Sequence, residues 1–477
     1  MRVERKQEEK KQHTKSKFAK VLAVLYIIAV AAFLAATFIV DVLPLLYFAI
    51  LIILLALISF PILRSLFRKS DERGNGLDDA RPKKKTAASA AAVIVILIVS
   101  VGTYYMASTL SFFDKISGTE QTHDFYVVVK ADSKYQKIRD IEGETVGIMD
   151  NDDESYSEAK KRLEEKVDIA LKDEEGFDNL AKSLIDGKYE AIFLNSAYYE
   201  LALEEVDGFT EKTTRIIEDI DVTVKTEVNA KNVDVTEEAF NVYVSGIDTT
   251  GSIGNIARSD VNMVMTVNPK TKTILLTSIP RDYYVKLASK EAMDKLTHSG
   301  LYGININYHL KVNFTTVIKL VDTLGGITVN SDYSFSAMGY NFSKGPNELS
   351  GKAALAFSRE RHSFAAGDNQ RVKNQQAVIA GIINKCTSSS SILTNYTGIL
   401  NSVENNINTN MSQSDITSLV KMQLGDMSSW TIKQQSLKGS GKSTAVYSMP
   451  NSRVYVMVPD QASVEQAKAQ IESVMSQ

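Results

Sequence analysis

Apolar and polar positions divide this chain into two regimes. Residues 21–40, 42–63 and 86–113 contain no Asp, Glu, Lys, Arg or His. Each run is about as long as the roughly 20 residues a helix needs to cross a hydrocarbon core. The pattern predicts three retained membrane-spanning helices. A cleaved leader fits poorly, because a second apolar run follows the first with no polar mature sequence between them.

From residue 114 onward the periodicities are those of a folded water-facing part. Phe125-Tyr-Val-Val-Val129 reads as a buried strand, and Ile141 to Ile148 as a turn into a second one. Helices are predicted over 156–172 and 177–186, the latter ended by Gly187, then a strand over 189–194. This alternation predicts a small α/β domain over about 120–230. Its segments around Ile141–Ile148 and Leu184–Asn195 loosely resemble one lobe of periplasmic solute-binding proteins; a spacer or protein-contact role suits it equally. A second α/β domain opens at Phe240-Asn-Val-Tyr-Val244. Strands are predicted over 261–267, 273–279, 327–330 and 453–458, and helices over 313–324, 350–358, 372–385 and 461–475. Val464, Ala467, Ile471 and Val474 fall on one face of the last helix, a core-packing stripe.

Charge orients the anchor. Eight Lys and Arg lie in the first twenty residues and eight more in 64–85, whereas the turn at Asp41–Pro44 has none. Loops rich in Lys and Arg stay in the cytoplasm. The N-terminus is therefore expected inside, and residues beyond about 114 outside the cell. The net charge of −3 hides this split; the basic loops serve topology, so no nucleic-acid partner is expected. The single cysteine, Cys386, excludes an intrachain disulfide.

Candidate chemistry concentrates between 246 and 376. Asp248, Arg258, Asp260, Arg281 and Asp282 fall at predicted strand ends, where ligands sit in α/β sheets. Arg359, Arg361, His362, Arg371 and Gln375 follow. Arginine keeps its charge, and its planar fork matches phosphate oxygens. Five arginines suit a pyrophosphate. Two carboxylates with substrate phosphates form the usual Mg²⁺ environment. Taken singly, each arginine reads more readily as a solvated surface charge than as a site residue, and Asp248 reads also as a turn or cap residue.

Two decoys fall away. Gly439-Ser-Gly441-Lys442-Ser443 suggests a phosphate-binding loop, but Ser436 stands where its first glycine belongs. The five histidines show no zinc-binding spacing.

The segments FNVYVSGIDT, RSDVNMVMTVNPKTKTILLTSIPRD, DKLTHSGLYG, VNFTTVIKLVDTLGGITV and ALAFSRERHSFAAGDNQRVKNQQ resemble the LytR–CpsA–Psr family. The likeness runs over about 240–386 and more weakly to 459. The three-span anchor with an extra outer domain is similar to streptococcal-type capsule members. The resemblance implies transfer of a glycopolymer, such as capsular polysaccharide, from a polyprenyl-pyrophosphate carrier to peptidoglycan. It implies Mg²⁺ (or Mn²⁺) at Asp248 and Asp260, pyrophosphate held by Arg258, Arg281, Arg359, Arg361 and Arg371, lipid phosphates touched by Lys295 and Gln375, and catalysis by Asp260, Arg281, Arg359 and Arg361. Asp260 and Asp282 both remain candidates to take the acceptor's proton. A non-catalytic lipid-binding regulator of capsule assembly and a polyprenyl-pyrophosphate pyrophosphatase are the rival readings. Capsule export or regulatory proteins are the further partners it allows.

The expected architecture is a cytoplasmic basic tail (1–17), a three-helix anchor (18–113), an accessory α/β domain (114–235) and an α/β catalytic domain with a helix-flanked mixed sheet (236–477, core 240–386). One departure from the family pattern stands out. About a dozen residues of an amphipathic helix are absent after Tyr302-Gly303, where Ile304-Asn-Ile-Asn-Tyr308 follows at once.

Overall fold

The computed structural model describes residues 2–41, 43–67, 81–116, 120–149, 154–225, 233–247, 259–287, 292–296, 306–388, 398–400, 402 and 407–477. Asp248, Arg258 and the junction after Tyr302 lie outside the described residues.

Three long helices come first: α1 (Arg2–Val40), α2 (Leu45–Phe67) and α3 (Arg81–Ile116). Within them Lys17–Val40, Leu45–Phe67 and Thr86–Thr109 are long and apolar enough to cross a membrane. Ala19, Ala23, Tyr26, Ile62, Leu66 and Ala92 pack together between the helices, while Leu45, Leu57 and Phe60 face outward. Large outward apolar side chains are what lipid solvates in place of water.

The next sheet joins five strands: β1 (Glu120–Lys130), β2 (Thr145–Met149), β3 (Ala170–Glu174), β4 (Ala191–Asn195) and β5 (Thr214–Lys225). Their order is β3-β2-β4-β1-β5. β2 runs parallel to β3 and β4, and β1 antiparallel to β4 and β5. Helices α4 (Glu154–Lys166), α5 (Phe177–Ile185) and α6 (Ser196–Glu205) make the crossovers. The expected helix over 156–172 stops at Lys166, and 170–172 belong to β3. Parallel pairing of Thr145–Met149 with Ala170–Glu174 overrides the helical charge pattern there.

Asp124 on β1 is 8% exposed and lies opposite Asp221 on β5. Burial, then repulsion from Asp219 and Asp221, lifts its carboxyl from 3.8 to about 6. A raised carboxyl pKa favours the folded chain at low pH, and that contribution disappears as pH rises from about 4 through about 6. We expect Asp124→Asn to stabilise the protein at pH 7.5 by on the order of 2–3 kcal/mol and to leave it unchanged near pH 4. Urea melts at the two pH values measure this; equal shifts at both would contradict the assignment.

The second sheet is mixed and six-stranded. It contains β6 (Phe240–Ile247), β7 (Ser259–Asn268), β8 (Thr273–Ile279), β11 (Tyr308–Asn313), β16 (Ile407–Thr409) and β17 (Thr431–Ser436). The order is β16-β11-β6-β7-β8-β17, with β11 parallel to β6 and β17 parallel to β8. Phe240, Val242, Tyr243 and Val244 are all buried, as befits a central strand covered on both faces. One face packs on α11 (Gln461–Met475) through Ile471 and Val474. Toward the other lie α7 (Phe314–Thr323), α8 (Gly351–Arg359) and α9 (Asp368–Ser388). α10 (Gln413–Asp426) groups with the anchor: Lys421 pairs with Asp41 at 2.5 Å.

Short elements complete the second region. β9 (Tyr284–Lys286) pairs with β10 (Met293–Lys295), β12 (Ile327–Ser331) with β15 (Gly345–Leu349), and β13 (Phe335–Ala337) with β14 (Tyr340–Phe342). The hairpin of β18 (Gly439–Val446) and β19 (Met449–Pro459) reaches back to the first sheet. Its Val446, Met449, Val454 and Val456 join the core built around Phe125, Phe177 and Phe193. Ser452 donates a hydrogen bond to the buried Asp178 at 2.7 Å. Gly439 to Ser443 thus lie in a paired strand, and no helix N-terminus follows to cradle a phosphate.

Candidate active site: an arginine-lined cavity

Strand register builds one wall of a cavity. In the antiparallel β7–β8 pair Asn262 faces Ile279. Continued two residues outward, that register sets Asp260 beside Arg281. Arg281 Nη1 donates to Asp260 Oδ1 at 2.8 Å, and both side chains are largely buried. On the neighbouring strand Gly246 lies against Val261: a Cβ there would stand 2.8 Å from the valine Cβ. Glycine at 246 is therefore a condition of this close approach.

Helices build the opposite wall. Asn313 caps α7 by accepting from the Thr316 N–H at 2.9 Å. α8 crosses α7 so closely at Gly351 that a Cβ would lie 2.2 Å from the Ile318 carbonyl oxygen. Asp322 caps α8 by accepting from the Gly351 N–H at 2.7 Å. This anchored start aims the C-terminal end of α8 at the cavity, where Arg359 also suits the helix dipole. Its guanidinium stacks 4.6 Å from the Phe314 ring centroid. On α9, Gln376 donates to Ser278 Oγ at 2.9 Å and to the Gln435 carbonyl at 2.7 Å, and Asn374 to the Phe357 carbonyl at 3.1 Å. Those bonds fix the rotation of α9. Arg371, Gln375, Val378 and Ile379 then share the face toward the cavity.

The cavity, open on one side, has a volume of about 590 Å³. Asp260, Arg281, Arg359, Glu360, Arg361, His362, Arg371 and Gln375 line its polar part. Val244, Ile247, Val261, Val312, Val317, Leu355, Val378 and Ile379 line its apolar part. Along α9 the wall changes from charge at Arg371 to hydrocarbon at Ile379, roughly 12 Å at 1.5 Å per residue. Among the described lining residues four arginines face two carboxylates, Asp260 and Glu360, and their summed charge is positive.

The arginines differ in burial. Arg359 and Arg361 are exposed, and Arg361 Nε lies 3.4 Å from His362 Nε2. Arg371 is 8% exposed and pairs with Asp368. Burial pushes its guanidinium below the ordinary arginine value, an effect Asp368 opposes and Arg281 and Arg361 reinforce. Burial also opposes the charge of Arg281, yet Asp260, Asp282 and Asp368 outweigh it and hold the pKa above the usual value. The Nε–H groups of both Arg281 and Arg371 are buried and have no hydrogen-bond acceptor among the described residues. Buried donors left without acceptors are costly, and an anion with several oxygens in the cavity would satisfy them.

Seven of the residues singled out in the sequence thus share one cavity: Asp260, Arg281, Arg359, Arg361, His362, Arg371 and Gln375. Lys295 and Asp282 are not among its lining residues; Lys295 Nζ lies 3.5 Å from Asp282 Oδ1. Sequence reasoning missed Phe314 and Met338. Met338 adopts a positive φ of 47° at the β13–β14 turn, and its only signal was a Met-Gly pair between two short strands.

Known proteins give independent information. A model of the LytR_cpsA_psr family matches residues 208–472. The chain is 39% identical over 232 residues to the polyisoprenyl-teichoic acid–peptidoglycan teichoic acid transferase TagU of Bacillus subtilis (strain 168), covering 46% of this chain and 74% of that protein. It is 36% identical over 241 residues to the protein of the same name from Enterococcus faecalis (strain ATCC 700802 / V583), covering 47% and 77%. The crystal structure of B. subtilis TagU covers 50% of this chain and 97% of its own, at 35% identity and a TM-score of 0.39. With the family model spanning more than half of its length, the chain belongs to the LytR_cpsA_psr family.

Proposed function

We propose that this protein is a membrane-anchored transferase that moves a cell-wall glycopolymer from a polyisoprenyl diphosphate carrier to a hydroxyl of peptidoglycan on the outer face of the membrane. One observation carries the reading: Arg281 and Arg371, whose buried Nε–H groups have no acceptor among the described residues, line a cavity whose other end is aliphatic. A diphosphate on a long hydrocarbon has that combination of properties. Relatives named for polyisoprenyl-linked teichoic acid transfer to peptidoglycan support it. So does the set of three apolar helices, which keeps the cavity's chain close to a lipid substrate.

In the reaction the acceptor oxygen attacks the phosphorus bonded to the sugar. A new phosphodiester bond forms, the bridging P–O bond to the lipid phosphate breaks, and polyisoprenyl monophosphate leaves. Arg281 and Arg371 bind the non-bridging oxygens and neutralise charge as it shifts to the leaving phosphate. Arg359 and Arg361 do the same at the exposed end. The aliphatic wall holds the first isoprene units and excludes water from the phosphates. Of the two aspartates considered for the acceptor proton, Asp260 faces the cavity and Asp282 does not.

A divalent cation fits this wall, since Asp260 offers hard carboxylate oxygen beside the proposed diphosphate. Asp260 and Asp248 would hold Mg²⁺ or Mn²⁺, which supplies further charge neutralisation on the phosphates when bound. We expect EDTA to lower turnover by at least tenfold and added Mg²⁺ to restore it.

The test uses the full chain in detergent with a lipid-linked oligosaccharide, with and without peptidoglycan. Polymer joined to peptidoglycan is the expected product. Release of phosphate by water would assign a pyrophosphatase instead, and binding without turnover a regulator. Running lipid-linked capsular and teichoic acid donors side by side assigns the polymer, with the capsular donor expected to be preferred.

A further inference from the structure

One contact at the polar end of the cavity joins a charge to a ring. Arg359 Cζ lies over the Phe314 ring, 4.6 Å from its centroid, and both residues line the cavity. Phe314 is the first residue of α7 and half-buried; Arg359 is the last of α8 and exposed.

The backbone is held firmly at both. The chain leaves the sheet through Asn313, the last residue of β11, which lies in register with Ile247 of β6. Asn313 is 1% exposed. Its side chain accepts from the Thr316 N–H at 2.9 Å, and its own N–H donates to Thr316 Oγ1 at 3.3 Å. This reciprocal cap fixes the first turn of α7, and with it the place of the ring. Asp322 of the same helix accepts from the Gly351 N–H that opens α8. α8 is therefore tied to the helix that carries the ring, and its nine residues lead rigidly to Arg359. What stays adjustable is the Arg359 side chain, long, exposed and rich in rotamers. Ordering such a chain at the moment of binding costs affinity.

A ring lowers that cost in a way a carboxylate does not. It draws the cation to its π face. It has no lone pair and no charge, so it neither takes up the N–H groups that phosphate oxygens use nor cancels the positive charge. Arg281 and Arg371, by contrast, are steadied by Asp260 and Asp368. The ring also stands where the cavity changes character: Phe314 and Val317, three apart on α7, share its cavity face, and Val317 belongs to the aliphatic wall.

We propose that Phe314 is a positioning residue whose ring holds the Arg359 guanidinium ready for a diphosphate without itself bonding to the anion. The inference rests on the diphosphate reading above, and its test separates the two.

The measurement is calorimetric titration of inorganic pyrophosphate, which has no hydrocarbon tail, into the full chain in detergent. Phe314→Leu keeps an apolar side chain but removes the ring, and weakens binding by about two- to fivefold. Phe314→Tyr restores a ring and binds within about 1.5-fold of the unsubstituted protein. In the Arg359→Ala background Phe314→Leu changes binding by no more than about 1.5-fold, because the ring acts on the anion through that arginine. Thermal melts confirm that each variant is folded; if Phe314→Leu is not, Phe314→Met takes its place. Unchanged pyrophosphate binding in Phe314→Leu, whatever happens to the lipid-linked donor, means that the ring serves the hydrocarbon or the core; it overturns the positioning role and leaves the diphosphate reading standing. An equal loss with and without Arg359 overturns it too, since the ring then acts as scaffold. No pyrophosphate binding by the unsubstituted protein sinks the diphosphate reading and this inference with it.

Discussion

Arg281→Ala lowers the turnover of lipid-linked donor by roughly 10²–10³, the cost of losing one preorganised donor to developing charge in a desolvated site. Three features place the largest effect at this residue. It is largely buried, so solvent screens it less than the exposed arginines. It carries a buried Nε–H with no acceptor among the described residues. Its loss also leaves the largely buried carboxylate of Asp260 without its 2.8 Å partner. Arg281→Lys keeps the charge but not the planar fork, and falls between the two. The exposed Arg359 and Arg361 meet more water, so Arg359→Ala and Arg361→Ala each cost less, about tenfold. The comparison is made by kcat and KM for one donor across the series, with melting temperatures alongside. A well-folded Arg281→Ala protein within twofold of the unsubstituted enzyme would remove Arg281 from the reaction.

The sequence was most informative where local pattern and tertiary environment agree. The strand expected at 273–279 is β8, and the helix expected at 313–324 is α7 within one residue at each end. β8 is buried throughout, and its Ile274-Leu275-Leu276 stretch sits in the fully covered setting that a short apolar run fits. The segment 156–172 failed for the opposite reason. Its charges have helical spacing, yet the last three residues pair with β2, an interaction set by residues some 25 positions away. β18 resisted reading because it is mostly exposed and polar: of its residues Val446 enters the first core, and Met449, Val454 and Val456 of its partner strand supply the other apolar positions.

The site divides along the same line. Arginine in a motif is visible as chemistry, and Arg281, Arg359, Arg361 and Arg371 do meet around one cavity. Which charged groups line that cavity and which stand apart from it depends on packing. Asp260 and Asp282 look alike as residues flanking strand ends. Register turns the first toward the cavity, while Lys295 on β10 takes the second. That distinction requires the β9–β10 pairing of Tyr284 with Lys295, which no local pattern announces.

Val317→Trp is expected to separate the two ends of the cavity. Val317 lies on α7 in the aliphatic wall and is only partly buried, so a larger side chain has the open volume to enter. The indole would take space that an isoprenoid chain otherwise fills. Each methylene kept from burial forfeits about 0.8 kcal/mol, so excluding even two or three of them weakens the donor by roughly tenfold to fiftyfold. The arginine end lies on other elements, β7, the residues after β8, and the facing ends of α8 and α9, and does not depend on Val317. Affinity for inorganic pyrophosphate is therefore expected to stay within about twofold, and a donor truncated to a short prenyl tail to lose far less than the full-length one. KM for the two donors and the pyrophosphate titration give the answer together. Equal losses for long and short tails would mean that the aliphatic wall is core packing and that the hydrocarbon lies elsewhere. Loss confined to the long tail ties the apolar half of the cavity to the lipid, and so ties the anchor's three apolar helices and the arginine cluster to a single substrate.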